Sequence, residues 1–250
     1  MYIFLSGGGG AEDSHLLDER FAEILDSNKP LIHIPTLREP PYEKSLVWIL
    51  EVFSKLGITD IKLATDLREL VSNDPDSLGL YEGEAYSGIH IGGGTRSVQF
   101  LREIKDSGFD RYLQNLASRG IPIYGGSAGA IILGQRTETN PRVEDAIKSS
   151  DDEDLRKGID LVPFSLYCHF GRPDKEDENK QKAIQRQSER LMRLQRERGV
   201  DPIVAIPEGS GILYDGSSIE VIGNYPVTVF TDVEISNVLS PGETINIENL

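Results

Sequence analysis

The chain has 250 residues and a formal net charge of −15, since 41 Asp and Glu residues outnumber 26 Lys and Arg residues. This acidic balance excludes partners that need a positive footprint, so we expect neither nucleic-acid binding nor membrane binding. The single cysteine, Cys168, excludes an intramolecular disulfide and a cysteine-based metal cluster. The first residues lack a basic segment followed by a long apolar run, and we therefore expect a soluble, cytoplasmic protein.

The first half of the chain alternates short apolar runs with segments of helical spacing. Such alternation is typical of βαβ units, so we predict an α/β fold with a mostly parallel central sheet and helices on both faces. The predicted strands are Met1–Ser6, Leu31–Ile34, Ile61–Ala64, Gly88–Ile91 and Ile121–Tyr124. The predicted helices are Leu16–Leu25, Tyr42–Leu56, Val98–Ile104, Tyr112–Ala117 and Ala128–Leu133.

The second half is less regular. Arg136–Gly158 is polar, and we interpret it as a long irregular connection. Leu161–Phe170 is predicted to be extended and Lys180–Arg198 to be a charged helix, while Asp215-Gly216 indicates a C-terminal β-hairpin. We find no repeat or linker, and a single domain over residues 1–250 is therefore predicted. The remaining predicted strands are Ile203–Ile206, Gly211–Tyr214, Ser218–Ile222 and Val227–Phe230.

The stretch IPIYGGSAGAIILG, residues 121–134, contains a GxSxG pattern centred on Ser127. Its physical logic is a sharp turn from a strand into a helix, which projects the serine hydroxyl above the sheet edge. The helix that begins near Ala128 directs free N–H groups at the place where an oxyanion would form. The bare pattern is weak evidence, but its position between an apolar strand and an apolar helix favours a catalytic serine over a structural one.

A serine nucleophile needs a base, which is usually histidine. His33 and His90 lie inside predicted strands, where a histidine more often belongs to the core or lines a cleft. His15 follows an acidic loop and is expected to be exposed or to start a helix. His169 ends an extended run just before a turn, and we predict it as the base. Its neighbour Cys168 should point to the opposite face and pack in the interior.

The acid that would orient His169 is left open between two places. One is the connection Arg136–Gly158, and the other is Glu208 in AIPEGSGI, at the end of a predicted strand. A second glycine turn, Gly92-Gly93-Gly94-Thr95, follows the strand GIHI and could bind an anion or an oxyanion through its backbone N–H groups. A phosphate site is disfavoured because no Lys-Ser or Lys-Thr pair follows the turn. We expect no cofactor and no metal.

Taken together, these motifs resemble a known family. They are IPT after the second strand, GGGT after the fourth, GGSAGA at the strand–helix turn, a segment that ends in histidine, AIPEGSGI and the DG hairpin. The combination is similar to the serine peptidase family that holds aspartyl dipeptidase (dipeptidase E) and cyanophycinase. The resemblance runs from about Met1 to Ile222 and implies a fold like that of the class I glutamine amidotransferases.

The resemblance also implies residue roles. The family nucleophile falls on Ser127 and the family histidine on His169, and the oxyanion donors would be the N–H groups of Ala128 and of Gly93 or Gly94. The cyanophycinase branch places the acid at Glu208. The dipeptidase branch has an aspartate shortly after the helix that follows the nucleophile, where Glu138 or Asp145 could substitute.

The resemblance implies a small peptide substrate, with a preference for an aspartyl residue at the cleaved bond. A substrate carboxylate needs a cationic partner, and Arg96 and Arg172 are the candidates because they follow the glycine turn and His169. The basic residues of Lys180–Arg198 are interpreted as a solvated helix face. Three alternatives remain: an amidase of the same fold, an esterase that uses Ser127, and a non-catalytic binding or regulatory module. The protein is expected to be a monomer or a homodimer.

Overall fold

The computed structural model describes residues 1–35, 37–71, 86–173, 179–200, 202–231 and 234–250, with side chains left out of the description for 234–236. The strands of the first half are β1 (Ile3–Ser6), β2 (Leu31–Ile34), β3 (Ile61–Leu63), β4 (Gly88–Ile91) and β5 (Ile123–Gly126). The helices of that half are α1 (Ala11–Ala22), α2 (Glu43–Phe53), α3 (Leu67–Leu70), α4 (Ser97–Ser107), α5 (Phe109–Ser118) and α6 (Ala128–Leu133).

The second half adds two helices and seven strands among the described residues. The helices are α7 (Pro141–Ser150) and α8 (Lys180–Arg198). The strands are β6 (Ser165–Cys168), β7 (Ile203–Ile206), β8 (Ser210–Tyr214), β9 (Ser218–Gly223), β10 (Val227–Thr231), β11 (Glu234–Leu239) and β12 (Thr244–Asn246).

The central sheet has eight strands in the order β12-β9-β8-β1-β5-β4-β2-β3. The five strands from β1 to β3 in this order run parallel, which confirms the α/β fold with a mostly parallel sheet. β8 joins β1 antiparallel, with Ile3 opposite Tyr214, and β8 and β9 form the predicted hairpin. Asp215 closes that hairpin, because its carboxylate accepts hydrogen bonds from the N–H groups of Ser217 (2.8 Å) and Ser218 (2.7 Å).

A second sheet has the order β11-β10-β7-β6 and was not predicted from the sequence. β6 and β7 run parallel, so Cys168 lies opposite Ile206 and both strands end at the same edge. Helix α6 is buried along its whole length and packs against β5 of the central sheet and β6 of the second sheet. The strand ends of the two sheets are therefore brought together around the start of α6.

The prediction of an irregular connection over Arg136–Gly158 is wrong, because this segment contains α7 and a 3₁₀ turn at Glu153–Arg156. Asn140 caps α7 by accepting a hydrogen bond from the N–H of Arg142 at 3.0 Å, and a proline follows it as the first helical residue. The helix buries Val143 and Ile147 one turn apart, a spacing that the polar composition of the segment concealed.

The first helix begins earlier than the predicted range Leu16–Leu25, since it follows the glycine run of residues 7–10. Helix α1 begins at Ala11, directly after the run, rather than near Leu16. The Asp13 carboxylate accepts a hydrogen bond from the N–H of Gly10 at 2.7 Å, which satisfies one of the donors that a helix start leaves free. No helix among the residues that the structure describes combines the length and the apolar character needed to cross a bilayer.

Candidate functional site

Ser127 sits on a strained turn between β5 and α6. Its backbone has φ 51° and ψ −112°, in the left-handed half of the map, which costs about 1–3 kcal/mol for a residue with a side chain. The Ser127 N–H donates to the carbonyl of Ser6 (3.0 Å) and its carbonyl accepts from the N–H of Ile131 (3.1 Å), so both sides of the turn are held. The hydroxyl is thereby fixed above the edge of the central sheet.

The two glycines of the GxSxG pattern are required by close backbone approaches. A Cβ at Gly125 would lie 2.9 Å from the backbone of Ala130, and a Cβ at Gly129 would lie 2.6 Å from the carbonyl oxygen of Ile91. Both contacts are closer than real Cβ atoms allow, so a side chain at either place would force the turn apart. The pattern therefore has a local structural reason in this chain.

His169 bridges Ser127 and Glu208. Its Nε2 lies 2.6 Å from Ser127 Oγ, and its Nδ1 lies 2.6 Å from Glu208 Oε1. His169 follows β6 and Glu208 follows β7, so the parallel pairing of these strands places both side chains at one sheet edge. The side chains of His169 and Glu208 are 34% and 32% exposed, so both are partly accessible to solvent, and His169 lines the cleft.

The turn after β1 makes room for the imidazole of His169. The His169 N–H donates to the carbonyl of Gly7 at 3.0 Å. A Cβ at Gly8 would lie 2.4 Å from His169 Cε1, and the φ of Gly8 is +96°. The glycine run, which carries no recognisable motif, is therefore the surface on which the ring rests.

The other two histidines of the cleft are neutral and paired with each other. His33 Nδ1 lies 2.9 Å from His90 Nδ1, and His33 Nε2 lies 2.9 Å from Ser45 Oγ. Burial lowers the pKa of His33 to about 4 and places the pKa of His90 well below its usual value. Both line the cleft, as expected for histidines inside strands. His15 is exposed, and its Nδ1 donates to the carbonyl of Glu12 at 2.7 Å.

The floor of the cleft continues into a buried carboxyl group. The Tyr124 ring stacks on His90 at a centroid distance of 4.8 Å, and the Tyr124 hydroxyl donates to Asp18 Oδ1 at 2.7 Å. Ser14 Oγ donates to the other carboxylate oxygen at 2.7 Å. Burial raises the pKa of Asp18 to about 6.

The alternative acids and the cysteine lie elsewhere. Glu138 is buried and forms ion pairs with Arg136 and with Arg156, the latter at 3.3 Å. Asp145 is exposed on α7. Cys168 is buried, as expected; its Sγ donates to the carbonyl of Ser127 at 3.3 Å, and burial raises its thiol pKa. A thiol held in this way is a packing group beneath the turn.

Two groups of backbone N–H donors flank Ser127. Ala128 is the first residue of α6, so its N–H has no carbonyl one turn earlier in the helix. On the other side, a Cβ at Gly93 would lie 3.1 Å from Ser127 Cβ, which shows how closely the glycine turn after β4 approaches the serine. Gly94 packs against the next loop, where its Cβ would lie 1.9 Å from the carbonyl oxygen of Leu37.

The cleft around Ser127 has a volume of about 600 Å³ and contains three arginines in its lining: Arg38, Arg142 and Arg172. Among the described lining residues, Arg96 is absent, since its guanidinium contacts Glu39 (3.5 Å) and Glu103 (3.7 Å) instead. We therefore assign no substrate contact to Arg96. Sequence reasoning missed Arg38, which follows β2 closely, and Arg142, which lies in the unpredicted helix α7.

Comparisons with known proteins find similarity to peptidases in each case. Residues 2–222 match the model of peptidase family S51. The chain is 23% identical over 208 residues to Peptidase E of Shewanella putrefaciens strain CN-32, an alignment that covers 80% of this chain and 84% of that protein. It is also 23% identical over 232 residues to Peptidase E of Shewanella baltica strain OS195, covering 84% of this chain and 92% of that protein.

A solved structure shares the fold. The crystal structure of a peptidase from an acI-B1 Actinobacterium superposes with a TM-score of 0.68 at 18% sequence identity. The superposition covers 98% of this chain and 96% of that chain, so the two-sheet architecture is common to both over nearly their whole length.

Proposed function

Since this chain belongs to peptidase family S51 and is a serine-type peptidase, we propose that it hydrolyses small peptides with Ser127 as nucleophile, His169 as general base and Glu208 as the acid of the triad. The observation that carries this proposal is the pair of 2.6 Å contacts that joins Ser127 Oγ, the two ring nitrogens of His169 and Glu208 Oε1. Nucleophile, base and orienting acid at these distances are what serine hydrolysis requires.

In the first half of the reaction, Ser127 Oγ attacks the peptide carbonyl carbon and its proton passes to His169 Nε2. The carbonyl oxygen becomes an oxyanion, for which the N–H groups of Ala128 and Gly93 are the donors. His169 then returns the proton to the leaving amine, the C–N bond breaks, and an acyl-enzyme remains on Ser127. Glu208 stabilises the positive imidazolium through its contact with Nδ1.

In the second half, a water molecule takes the place of the leaving amine. His169 accepts a proton from this water, whose oxygen attacks the ester carbonyl of the acyl-enzyme. The second oxyanion uses the same N–H donors, and the proton returns to Ser127 Oγ as the carboxylic acid product leaves. The strained backbone of Ser127 keeps the oxygen in the same place for both halves.

The dimensions and charge of the cleft favour a short, acidic peptide. A volume of about 600 Å³ is typical of sites that hold small ligands rather than long chains. Arg38 and Arg142 line the cleft, and neither forms an ion pair with another residue that the structure describes. These guanidinium groups support a preference for an aspartyl residue at the cleaved bond, although the protein as a whole carries a charge of −15.

The proposal is tested by replacing the nucleophile. Ser127→Ala should retain the fold, as judged by circular dichroism and melting temperature, and should lose the release of amino acids from an Asp-Ala dipeptide. Hydrolysis by this variant at the wild-type rate would overturn the assignment of Ser127. Comparison of Asp-Ala with Ala-Ala as substrates of the wild-type enzyme tests the aspartyl preference, and equal kcat/KM values would remove it.

A further inference from the structure

Arg172 shares one oxygen of Glu208 with His169. A terminal nitrogen of the Arg172 guanidinium lies 2.8 Å from Glu208 Oε1, the same atom that contacts His169 Nδ1 at 2.6 Å. The backbone of Arg172 also lies close to His169, because the Arg172 N–H donates to the His169 carbonyl at 3.0 Å. One oxygen of the Glu208 carboxylate is therefore contacted by both the imidazole and the guanidinium.

The backbone of Arg172 is itself anchored by a buried amide. Gln187 lies on α8 and is only 2% exposed. Its side-chain oxygen accepts a hydrogen bond from the N–H of Gly171 at 2.6 Å, and its side-chain nitrogen donates to the carbonyl of Arg172 at 3.0 Å. Both polar ends of one buried side chain therefore fix the turn from which the arginine extends, so the contact with Glu208 has a rigid base.

We propose that Arg172 is a positioning residue, which holds the Glu208 carboxylate on His169 and is in turn fixed by Gln187. A glutamate reaches its partner through one more rotatable bond than an aspartate, so an acid of this type needs an additional contact to keep one orientation. The Arg172 side chain is 60% exposed, and an ion pair so open to water adds little to the stability of the fold. The ion pair therefore acts by orienting the carboxylate of Glu208. This inference rests on the triad proposed above.

This role differs from that of a clamp for the substrate carboxylate. A clamp contributes binding energy to acidic substrates alone, so its loss raises KM for those substrates. A positioning residue acts on the chemical step, so its loss lowers kcat for acidic and neutral substrates alike. Arg96 provides the matched control, because its guanidinium also contacts glutamates, Glu39 at 3.5 Å and Glu103 at 3.7 Å, but it is not among the described residues that line the cleft.

The experiment measures kcat and KM for Asp-Ala and Ala-Ala with Arg172→Gln, Arg172→Lys and Arg96→Gln. We expect Arg172→Gln to lower kcat by about 10-fold or more on both peptides, and Arg172→Lys to recover part of the loss by restoring a cation. Arg96→Gln should leave kcat within about twofold of wild type. Gln187→Ala should reproduce part of the kcat loss of Arg172→Gln.

A wild-type kcat for Arg172→Gln on both peptides overturns the inference, and a rise of KM confined to Asp-Ala would identify Arg172 as a clamp instead. The failure of the proposed function is a separate result, since it would appear as wild-type hydrolysis that survives Ser127→Ala. Melting temperatures of all variants show whether each protein is folded. A fall in kcat with an unchanged melting temperature supports the positioning role.

Discussion

Ser127 Oγ lies 2.6 Å from His169 Nε2, although the two residues come from different sheets. Ser127 follows β5 of the central sheet, and His169 follows β6 of the second sheet. The buried helix α6 packs against both strands and holds the two sheet edges next to each other. The contact between the proposed nucleophile and the proposed base therefore depends on how the two sheets pack together, and several consequences can be measured.

Gly8→Ala should abolish most activity through the position of one ring. The new Cβ would lie 2.4 Å from His169 Cε1, so the imidazole must move away from Ser127. We expect kcat/KM to fall by about 100-fold, because a general base displaced by an ångström loses its contact with the nucleophile. Steady-state hydrolysis of Asp-Ala provides the measurement.

Gly57→Ala is the matched control for that substitution. Gly57 has φ +85°, close to the +96° of Gly8, but no atom lies within 4 Å of the Cβ that would be added. Both variants should lose about 1 kcal/mol of stability from the left-handed backbone. Equal activity losses in the two variants would show that strain, rather than the contact with His169, is responsible.

Glu208→Gln distinguishes Glu208, the proposed acid of the triad, from the other candidate acids. A neutral amide cannot stabilise the imidazolium, so kcat should fall by about 10²–10⁴-fold while the melting temperature changes little. Glu138→Gln breaks buried ion pairs with Arg136 and Arg156 instead, and should cost about 2 kcal/mol or more of stability. Retained kcat in Glu208→Gln, or its loss in a folded Glu138→Gln, would place the acid elsewhere.

The cleft arginines that have no acidic partner among the described residues should determine the preference for a negatively charged substrate. Arg38→Gln and Arg142→Gln are each expected to raise KM for Asp-Ala by about 10-fold and to leave KM for Ala-Ala unchanged. Arg96→Gln is the control, since its guanidinium is engaged by Glu39 and Glu103. A larger rise of KM for Asp-Ala in Arg96→Gln than in the two cleft variants would contradict the proposal that Arg38 and Arg142 bind the substrate carboxylate.

The contribution of His33 to the stability of the protein should fall on acidification. Burial lowers its pKa from 6.5 to about 4, so between these values the unfolded chain binds the proton and the folded protein does not. Stability is therefore lost as the pH falls through this window, by about 3 kcal/mol from this residue. Asp18 acts in the opposite direction, because burial raises its pKa to about 6 and the folded protein takes up that proton first.

Denaturant unfolding at several pH values tests this account. His33→Asn should be less stable than wild type at neutral pH, since it loses contacts with His90 and Ser45, but it should lose less stability than wild type as the pH falls from 6.5 to about 4. His15→Asn is the control, because His15 is exposed, and should keep the wild-type dependence. An identical pH dependence in wild type and His33→Asn would show that His33 is not the source.

The parts of the structure that sequence predicted are those with local causes. The α/β fold and the serine peptidase family are confirmed, and both follow from strand–helix alternation and from motifs at strand ends. Helix α8 was predicted with the correct bounds, Lys180–Arg198, because a long run of helix-forming residues is followed by Gly199, which adopts φ +62° at the helix end. Ser127 could be singled out because the two glycines of the GxSxG pattern, Gly125 and Gly129, mark the close backbone approaches of its turn.

The parts that sequence missed depend on partners distant in the chain. Nothing in the segment Ser165–Cys168 shows that it pairs with β7 rather than with the central sheet. The Gly8 contact with His169 and the shared oxygen of Glu208 likewise arise from tertiary structure. Helix α7 was missed for another reason, because its two buried apolar residues, Val143 and Ile147, are outnumbered by four charged ones, despite the start signal in Asn140-Pro141.

Labelling with a fluorophosphonate probe tests whether Ser127 is an activated nucleophile, without any assumption about the substrate. We expect rapid labelling of the wild-type protein, with the adduct mapped to Ser127 by mass spectrometry, slow labelling of His169→Asn and none of Ser127→Ala. Cys168→Ala should be labelled like wild type, since its buried thiol takes no part. A folded wild-type protein that is not labelled, or an adduct on another residue, would contradict the assignment of Ser127 and His169 as nucleophile and base.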